Sequence, residues 1–238
     1  MCFSASVSFA AGVSLIAFGG ITVKMVRRQA EIPFAMIPLL FGAQQLVEGM
    51  LWLSFRFEAA LLNVAMTYLF TLFSHVLWPL YVPFAIGLIE TVAWRKKVIW
   101  GFQAVGLSLS LYLLYSIIRF PVISEISENM VYVLPYVREH PAMDLYLAAT
   151  CVAPFFSSHN FVRLFGVLTL LLFFAALWFY SVALFSVWCF FSENGQGNGG
   201  SAQFLTVLIL IGMALLAGAQ ICGAIPFYIS FSRIFLCN

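Results

Sequence analysis

Charge is what this 238-residue chain has least of. Only 8% of its residues are Asp, Glu, Lys or Arg, against 63% hydrophobic. A soluble domain carries about 25% charged and roughly 45–50% apolar residues. So few charges cannot cover a water-facing surface, which excludes soluble enzymes, nucleic-acid binders and disordered scaffolds. The net charge of +2 is too small to imply an anionic partner. Lysine is confined to Lys24, Lys96 and Lys97, so none stands in the last apolar stretch to form a retinal Schiff base. No H-x-x-x-H or H-E-x-x-H occurs, which weakens an intramembrane metal hydrolase, and neither a G-x-S-x-G elbow nor a phosphate-binding loop is present. The five cysteines form no C-x-x-C pair and no Cys/His cluster at metal spacing, and their odd number leaves one thiol unpaired within a chain.

What the chain has is apolar length. A spanning helix needs about 20 mostly apolar residues, each adding about 1.5 Å against a hydrocarbon core of about 30 Å. Backbone groups in lipid must be bonded within the segment, which favours helices. Seven stretches qualify: Ser4–Val23, Ile32–Phe55, Ala59–Ile89, Val98–Ile118, Leu145–Ser158, Phe161–Phe191 and Phe204–Phe231. The predicted fold is therefore all-α, a polytopic transmembrane helix bundle of seven spans. The third and sixth stretches are over-long, which predicts tilt, kinking or projection into the headgroups. Pro79 and Pro83 supply a cause for a kink in the third. The fifth is short and contains Pro154. Lys24, Arg27 and Arg28 follow the first stretch instead of preceding it, and no small-residue cleavage site comes before them. The first stretch is thus expected to be a retained helix with its N-terminus outside.

Basic residues test the fifth span. With seven crossings and an outer N-terminus, Lys24, Arg27, Arg28, Arg95, Lys96, Lys97, Arg163 and Arg233 are cytoplasmic, and Arg56, Arg119 and Arg138 are outside. If the fifth stretch does not cross, Arg163 and Arg233 change sides and the asymmetry nearly vanishes. Seven spans, N-out and C-in, is the better reading, with the plasma membrane as the expected location. The domain organisation follows: a six-helix bundle over 1–191, a flexible Gly/Asn-rich linker over 192–203 (SENGQGNGGSAQ), and a seventh helix with a short cytoplasmic tail over 204–238. Phe120 to Met143, acidic and carrying Pro121, Pro135 and Pro141, predicts an outer cap or interfacial segment.

Ionisable groups inside a span cost about 2.5–3.5 kcal/mol on insertion scales, so each is a candidate for function. Two lie well inside, Glu48 and His75. Gln44 and Glu48 are four apart and share a helix face, with Gln45 beside them and Trp52 one turn further. Glu48 precedes Arg56 by roughly 12 Å of helix, which puts it in the outer half of the membrane. His75 closes the series Asn63, Thr67, Thr71, His75, whose steps of four keep these groups on one slowly drifting face. That stripe would line a crevice running from the outer surface to a histidine roughly 18 Å deeper. The competing reading gives all these groups a structural task, interhelical packing and hydrogen bonding. Gln44, Gln45, Glu48 and His75 form one polar cluster only if consecutive helices are neighbours. Two ligands are too few to define a metal site.

Cys2 and Cys189 would both lie near the outer surface as a disulfide, a reactive pair or simple packing thiols. Cys151 and Cys222 read as small buried hydrophobes, and Cys237 permits palmitoylation. His159 is expected to be a solvated loop residue. Tyr81, Trp94, Trp100 and Trp188 fit an interfacial aromatic belt. The pairs Ala214/Gly218 and Ala219/Gly223 would let the seventh helix pack closely.

The opening Met1-Cys2-Phe3-Ser4-Ala5, the block around Gln45, Glu48 and Gly49, and the Ser157-Ser158-His159 and Trp188-Cys189-Phe190 segments carry a resemblance. Over about residues 1–191 the chain resembles a family of uncharacterised small integral membrane proteins, mainly bacterial. The resemblance implies membrane placement and no particular reaction, and the chain departs from it where the linker and the last span follow.

Three functions stay open on this sequence. The first is an ion- or proton-coupled transporter or small-ligand binder with an outward-opening site at Gln44, Gln45, Glu48 and His75, its crevice lined by Asn63, Thr67 and Thr71. The second is a membrane-embedded enzyme, metal- or thiol-dependent, using His75, Glu48 and the Cys2/Cys189 pair. The third is a structural or sensor subunit of a membrane complex. The expected partners are the lipid bilayer and a small polar ligand or proton; no nucleic acid is expected, and the cofactor and a homo-oligomer are left open.

Overall fold

The computed structural model describes residues 5–126, 130–133 and 140–179. Cys2, Cys189, Trp188, the linker, the seventh apolar stretch with Cys222 and Cys237, and the end of the sixth stretch lie outside the described residues.

Helix α1 (Ala5–Met25) ends on Lys24 and Met25. A 3-10 turn, Gln29–Glu31, leads into the short α2 (Ile32–Ala35) and then α3 (Ile37–Arg56). Pro33 and Pro38 each sit in the first turn of a helix, where a missing N–H leaves no bond unmade. Phe57, Glu58 and Ala59 reverse the chain, with Glu58 in the left-handed region at φ 51°. Helix α4 (Ala60–Thr71) runs through a π-helical segment, Leu72–Leu77, into α5 (Trp78–Ile89). Helix α6 (Ala93–Arg119) returns across the bundle.

The kink expected in the third stretch takes the form of that π segment. Pro79 offers no N–H to the widened turn, and side chains from two other helices bond its carbonyls instead. Tyr146 Oη donates to Ser74 O at 2.6 Å and Ser110 Oγ donates to Val76 O at 2.8 Å. Pro83 likewise leaves the carbonyl of Pro79 without a helical donor. Gly106 of α6 packs directly against that oxygen, where no β-carbon would fit.

After α6 the fold departs from purely helical. Residues Ile123–Ile126 (β1) and Met130–Val133 (β2) pair antiparallel, with Ile123 opposite Val133 and Ile126 opposite Met130. The segment read from sequence as a cap thus contains a hairpin. The second strand, Met-Val-Tyr-Val, is rich in strand-forming residues, but the first, Ile-Ser-Glu-Ile, has no strict alternation, and the acidic residues and prolines around them obscure both.

The fifth stretch starts earlier than expected. Helix α7 (His140–Leu147) passes into a π turn, Ala148–Val152, and a 3-10 turn, Ala153–Phe156. Helix α8 (Asn160–Phe179) follows. Among the described residues four helices are long and apolar enough to cross a membrane: Ala5–Met25, Gln29–Arg56, Ala60–Ile89 and Ala93–Arg119. Pro141–Phe156 and Asn160–Leu171 are shorter apolar helices. These lengths suit a membrane protein, and among the described residues they fall on the first four of the seven stretches expected to span.

Glycines set the tightest packing. A β-carbon on Gly42 would lie 2.7 Å from Ile16 Cγ1 and 2.9 Å from Gly12 O, and one on Gly12 would lie 2.7 Å from Leu46 Cδ2. Helices α1 and α3 therefore meet backbone to backbone, as small residues allow in lipid. The core between α3, α5, α6 and α7 is built on Ile37, Trp78, Ile86, Ile99, Leu113 and Tyr146. Along α6, Leu107, Leu111, Tyr115 and Ile118 are exposed on one outer stripe, apolar surface suited to hydrocarbon.

Candidate functional site

The polar residues singled out in the sequence are inside the bundle. Gln44 is 0%, Gln45 1%, Glu48 2% and His75 0% exposed. Their helices are neighbours: α3 and α4 form an antiparallel pair, tied near the turn by Asn63 Nδ2 donating to Ser54 Oγ at 3.1 Å. From that bond, Glu48 lies about six residues down α3, roughly 9 Å, at about the level of Leu69 and Phe70.

The two glutamines diverge because successive helical residues point about 100° apart. Gln44 faces α5, where its Oε1 accepts from Trp78 Nε1 at 2.8 Å. The Trp78 ring also stacks on Phe41 at 3.9 Å between centroids. Trp78 stands three residues beyond His75, so one bond joins Gln44 to the helix that carries the histidine. Gln45 turns toward α1, and neither atom of its amide has a hydrogen-bond partner.

The Asn63–Thr67–Thr71–His75 stripe is present as one helix face and is largely covered. Thr67 and Thr71 are buried, Asn63 half-buried. Ser124 of β1 sits on its end. Ser124 Oγ donates to Asn63 Oδ1 at 3.3 Å, and since that hydroxyl has one proton, Thr67 Oγ1 donates to Ser124 Oγ at 2.8 Å. Thr71 Oγ1 donates to Thr67 O at 2.8 Å, and Ser74 Oγ lies 2.7 Å from His75 Nδ1. The hydroxyls are thus linked in pairs, with backbone carbonyls between them.

His75 is held in the π segment, a widened turn of a kind found often at functional sites. Among the described residues, no group of three or more His, Cys, Asp and Glu side chains is placed to hold a metal ion. Cys151 is buried, as expected of a packing thiol.

At the opposite end of the bundle lies a constellation that sequence reasoning missed. Glu90, 1% exposed, follows α5 directly. Its Oε1 accepts from Val92 N at 2.9 Å and Ser158 Oγ at 2.8 Å, and its Oε2 from Ser158 N at 2.6 Å and Ser157 Oγ at 3.1 Å. Burial pushes this carboxyl up, but the donors from Ser158, Val92 and Ser157 outweigh it and hold the group below its ordinary value of 4.5. Arg95 Nη1 donates to Ser157 O at 2.9 Å. His159, expected to be solvated, is half-buried, with its ring Nε2 3.4 Å from Ile89 O. The signal was available in Ser157-Ser158-His159, which carried part of the family resemblance. Glu90 directly follows the apolar run 59–89, and nothing local in the sequence marks its partners.

Apolar spans around a buried belt of Gln, Glu and His define a polytopic helical membrane protein with a polar interior. The chain belongs to a family of unknown function, DUF6629, which matches residues 1–195. The match stops within the Gly/Asn-rich stretch, near the point where the sequence resemblance also stops. No curated protein and no solved structure matches the chain.

Proposed function

We propose that this protein is a proton-coupled transporter or small-ligand binder of the plasma membrane, working through Gln44, Gln45, Glu48 and His75. Glu48 exchanges a proton, His75 relays it or binds ligand, and the glutamines orient polar ligand groups. Asn63, Thr67 and Thr71 line the approach from the end capped by the hairpin. The observation that carries this reading is that Glu48 and His75 are both buried inside the bundle on neighbouring helices, with His75 further along the stripe. Seven crossings with the N-terminus outside complete the proposed arrangement. The bundle 1–191, a flexible linker and a separate last helix are its parts.

The test is proton flux into proteoliposomes carrying a trapped pH dye, after an imposed pH step. Wild type acidifies the lumen faster than protein-free vesicles, and Glu48→Gln abolishes the difference. Flux equal to empty vesicles across a panel of co-solutes overturns the reading.

One set of contacts favours the structural-subunit alternative. Trp78–Gln44, Thr67–Ser124 and Tyr146–Ser74 each join separate elements, as purely architectural bonds would. That alternative predicts variants that lose thermal stability and no flux in any of them.

A further inference from the structure

Helices α6 and α7 leave an open groove of about 480 Å³ on the outside of the bundle, lined on α6 by Ala104, Ser108 and Tyr112 and on α7 by Pro141, Ala142 and Leu145. No charged residue lines it. Ser108 Oγ donates to Ala104 O at 2.9 Å, one turn back on its own helix, so that hydroxyl asks nothing of an occupant. The groove suits an apolar partner. Its α6 wall is low, because Ala104 and Ser108 are small and exposed, with exposed Gly101 nearly a turn further. A β-carbon on Gly101 would meet nothing within 4 Å. Such a line lets a second helix backbone come close in lipid, where packing drives association.

What covers the groove follows from the chain beyond the described residues. Helix α8 rises about 28 Å from Asn160 to Phe179, nearly the depth of a hydrocarbon core. It runs antiparallel to the rod of α7 and the turns to Phe156, with Gly166 against Pro154 and Cys151 O. It starts beside Glu90 and so heads for the hairpin end, where α7 begins. Past the sixth stretch one apolar run is left, Phe204–Phe231, joined through Ser192–Gln203. A Gly-rich linker of that length reaches roughly 20 Å, about two helix diameters. Both α8 and α6 pack on the α7 rod, so this reach carries the run from one to the other.

Depth agrees with reach. Arg119 ends α6 at the aqueous boundary, and the polar linker holds Phe204 at the same boundary. Ser108 and Ala104 lie roughly 16 and 22 Å below Arg119, and Ala214 and Gly218 roughly 15 and 21 Å below Phe204. The small pair of the run comes level with the small pair of the groove.

We propose that Phe204–Phe231 seats in the α6–α7 groove of its own chain, with Ala214 and Gly218 against Ser108 and Ala104. This rests on the proposed seventh crossing and on nothing that Glu48 or His75 carries.

The test is disulfide cross-linking of the full chain in membranes. With the natural cysteines replaced by alanine, Ser108→Cys with Ala214→Cys, and Ala104→Cys with Gly218→Cys, each oxidise to joined peptides in protein that still runs as a monomer. Ala17→Cys with Gly218→Cys, which sets the run against the exposed face of α1, stays reduced. A bond between two chains puts a second copy in the groove and overturns the proposal, as does linkage to Ala17 or to neither helix. Ala104→Phe in the wild-type chain is the second measurement. A ring in a filled groove lowers the melting temperature by several degrees. In an unfilled groove it finds room and melting is unchanged or higher, which overturns the proposal. If the cysteine-free chain does not fold, Ala104→Phe decides alone. An impermeant maleimide on Cys237 separates the two claims. Labelling from the hairpin side overturns the seventh crossing and the seat together; labelling from the opposite side, without a cross-link, overturns the seat alone.

Discussion

Gly106 of α6 and Pro79 of α5 touch backbone to backbone, and the contact exists because two prolines four residues apart leave a carbonyl uncovered. Pro83 cannot donate to Pro79 O, and only a glycine lets the facing helix come close enough to cover it. Gly106→Ala would force the helices apart at the centre of the bundle. A loss at the upper end of the usual overpacking range, about 3 kcal/mol, is expected. Thermal melting in detergent measures it, and an unchanged transition would mean the contact is not made.

The α1–α3 seam offers a controlled comparison. Gly42→Ala places a methyl group 2.7 Å from Ile16 Cγ1 and 2.9 Å from Gly12 O, and should cost about 1–3 kcal/mol. Gly20→Ala on the same pair of helices meets nothing within 4 Å. Helix propensity alone then acts, and the variant should be neutral or more stable by up to about 1 kcal/mol. Equal melting temperatures for the two variants would show that the seam is loose.

Glu90 gives a pH signature. Its folded pKa is depressed, so its stabilising effect is complete above the unfolded value and fades as pH falls through the folded one. Stability that depends on Glu90 is therefore flat at neutral pH and lost only in acid, below about pH 4.5. At pH 7 Glu90→Ala leaves the donors of Ser157, Ser158 and Val92 unmet and should cost about 3 kcal/mol. The gap between variant and wild type should narrow as the pH drops below that value; a gap that persists unchanged at pH 3 would contradict the assignment.

Ser124 seals the stripe by bonding Asn63 and Thr67. Ser124→Ala removes both bonds at once and should raise water access along α4. A cysteine placed at Thr67 reports it: a soluble maleimide should label Thr67→Cys several-fold faster when Ser124 is alanine. The same labelling rate in both backgrounds would mean that the hairpin backbone, not the hydroxyl, closes this end.

Much of the architecture was legible from composition because lipid imposes one rule on every span. Apolar length marked α1, the α2–α3 pair, the α4–α5 rod and α6 to within a few residues. The polar candidates were legible for the same reason: Glu48 and His75 stood out against an apolar background. What stayed hidden depends on partners distant in the chain. Gln44 and Gln45 are adjacent in sequence and read as one unit, yet a single helical step sends one to Trp78 and the other to α1. Glu90 and Ser158 are separated by the whole of α6, the hairpin and α7, and nothing local marks them as partners. The glycines of the α1–α3 seam are seven apart on each helix, Gly12 and Gly19 on α1 and Gly42 and Gly49 on α3, a spacing that the four-residue small-xxx-small pattern does not mark. The hairpin was obscured by flanking acids and prolines, and its register needed both strands.

The distance along the chain between Glu90 and its donors has a consequence for synthesis. A ribosome delivers the carboxylate to the membrane well before Ser157 and Ser158 leave the exit tunnel. Until then Glu90 has only the amide of Val92 and surrounding water, so the turn after α5 must wait at the aqueous boundary. Settling of that turn is then timed by arrival of the segment between α7 and α8, and nascent chains arrested before residue 157 should hold it open to water-soluble reagents.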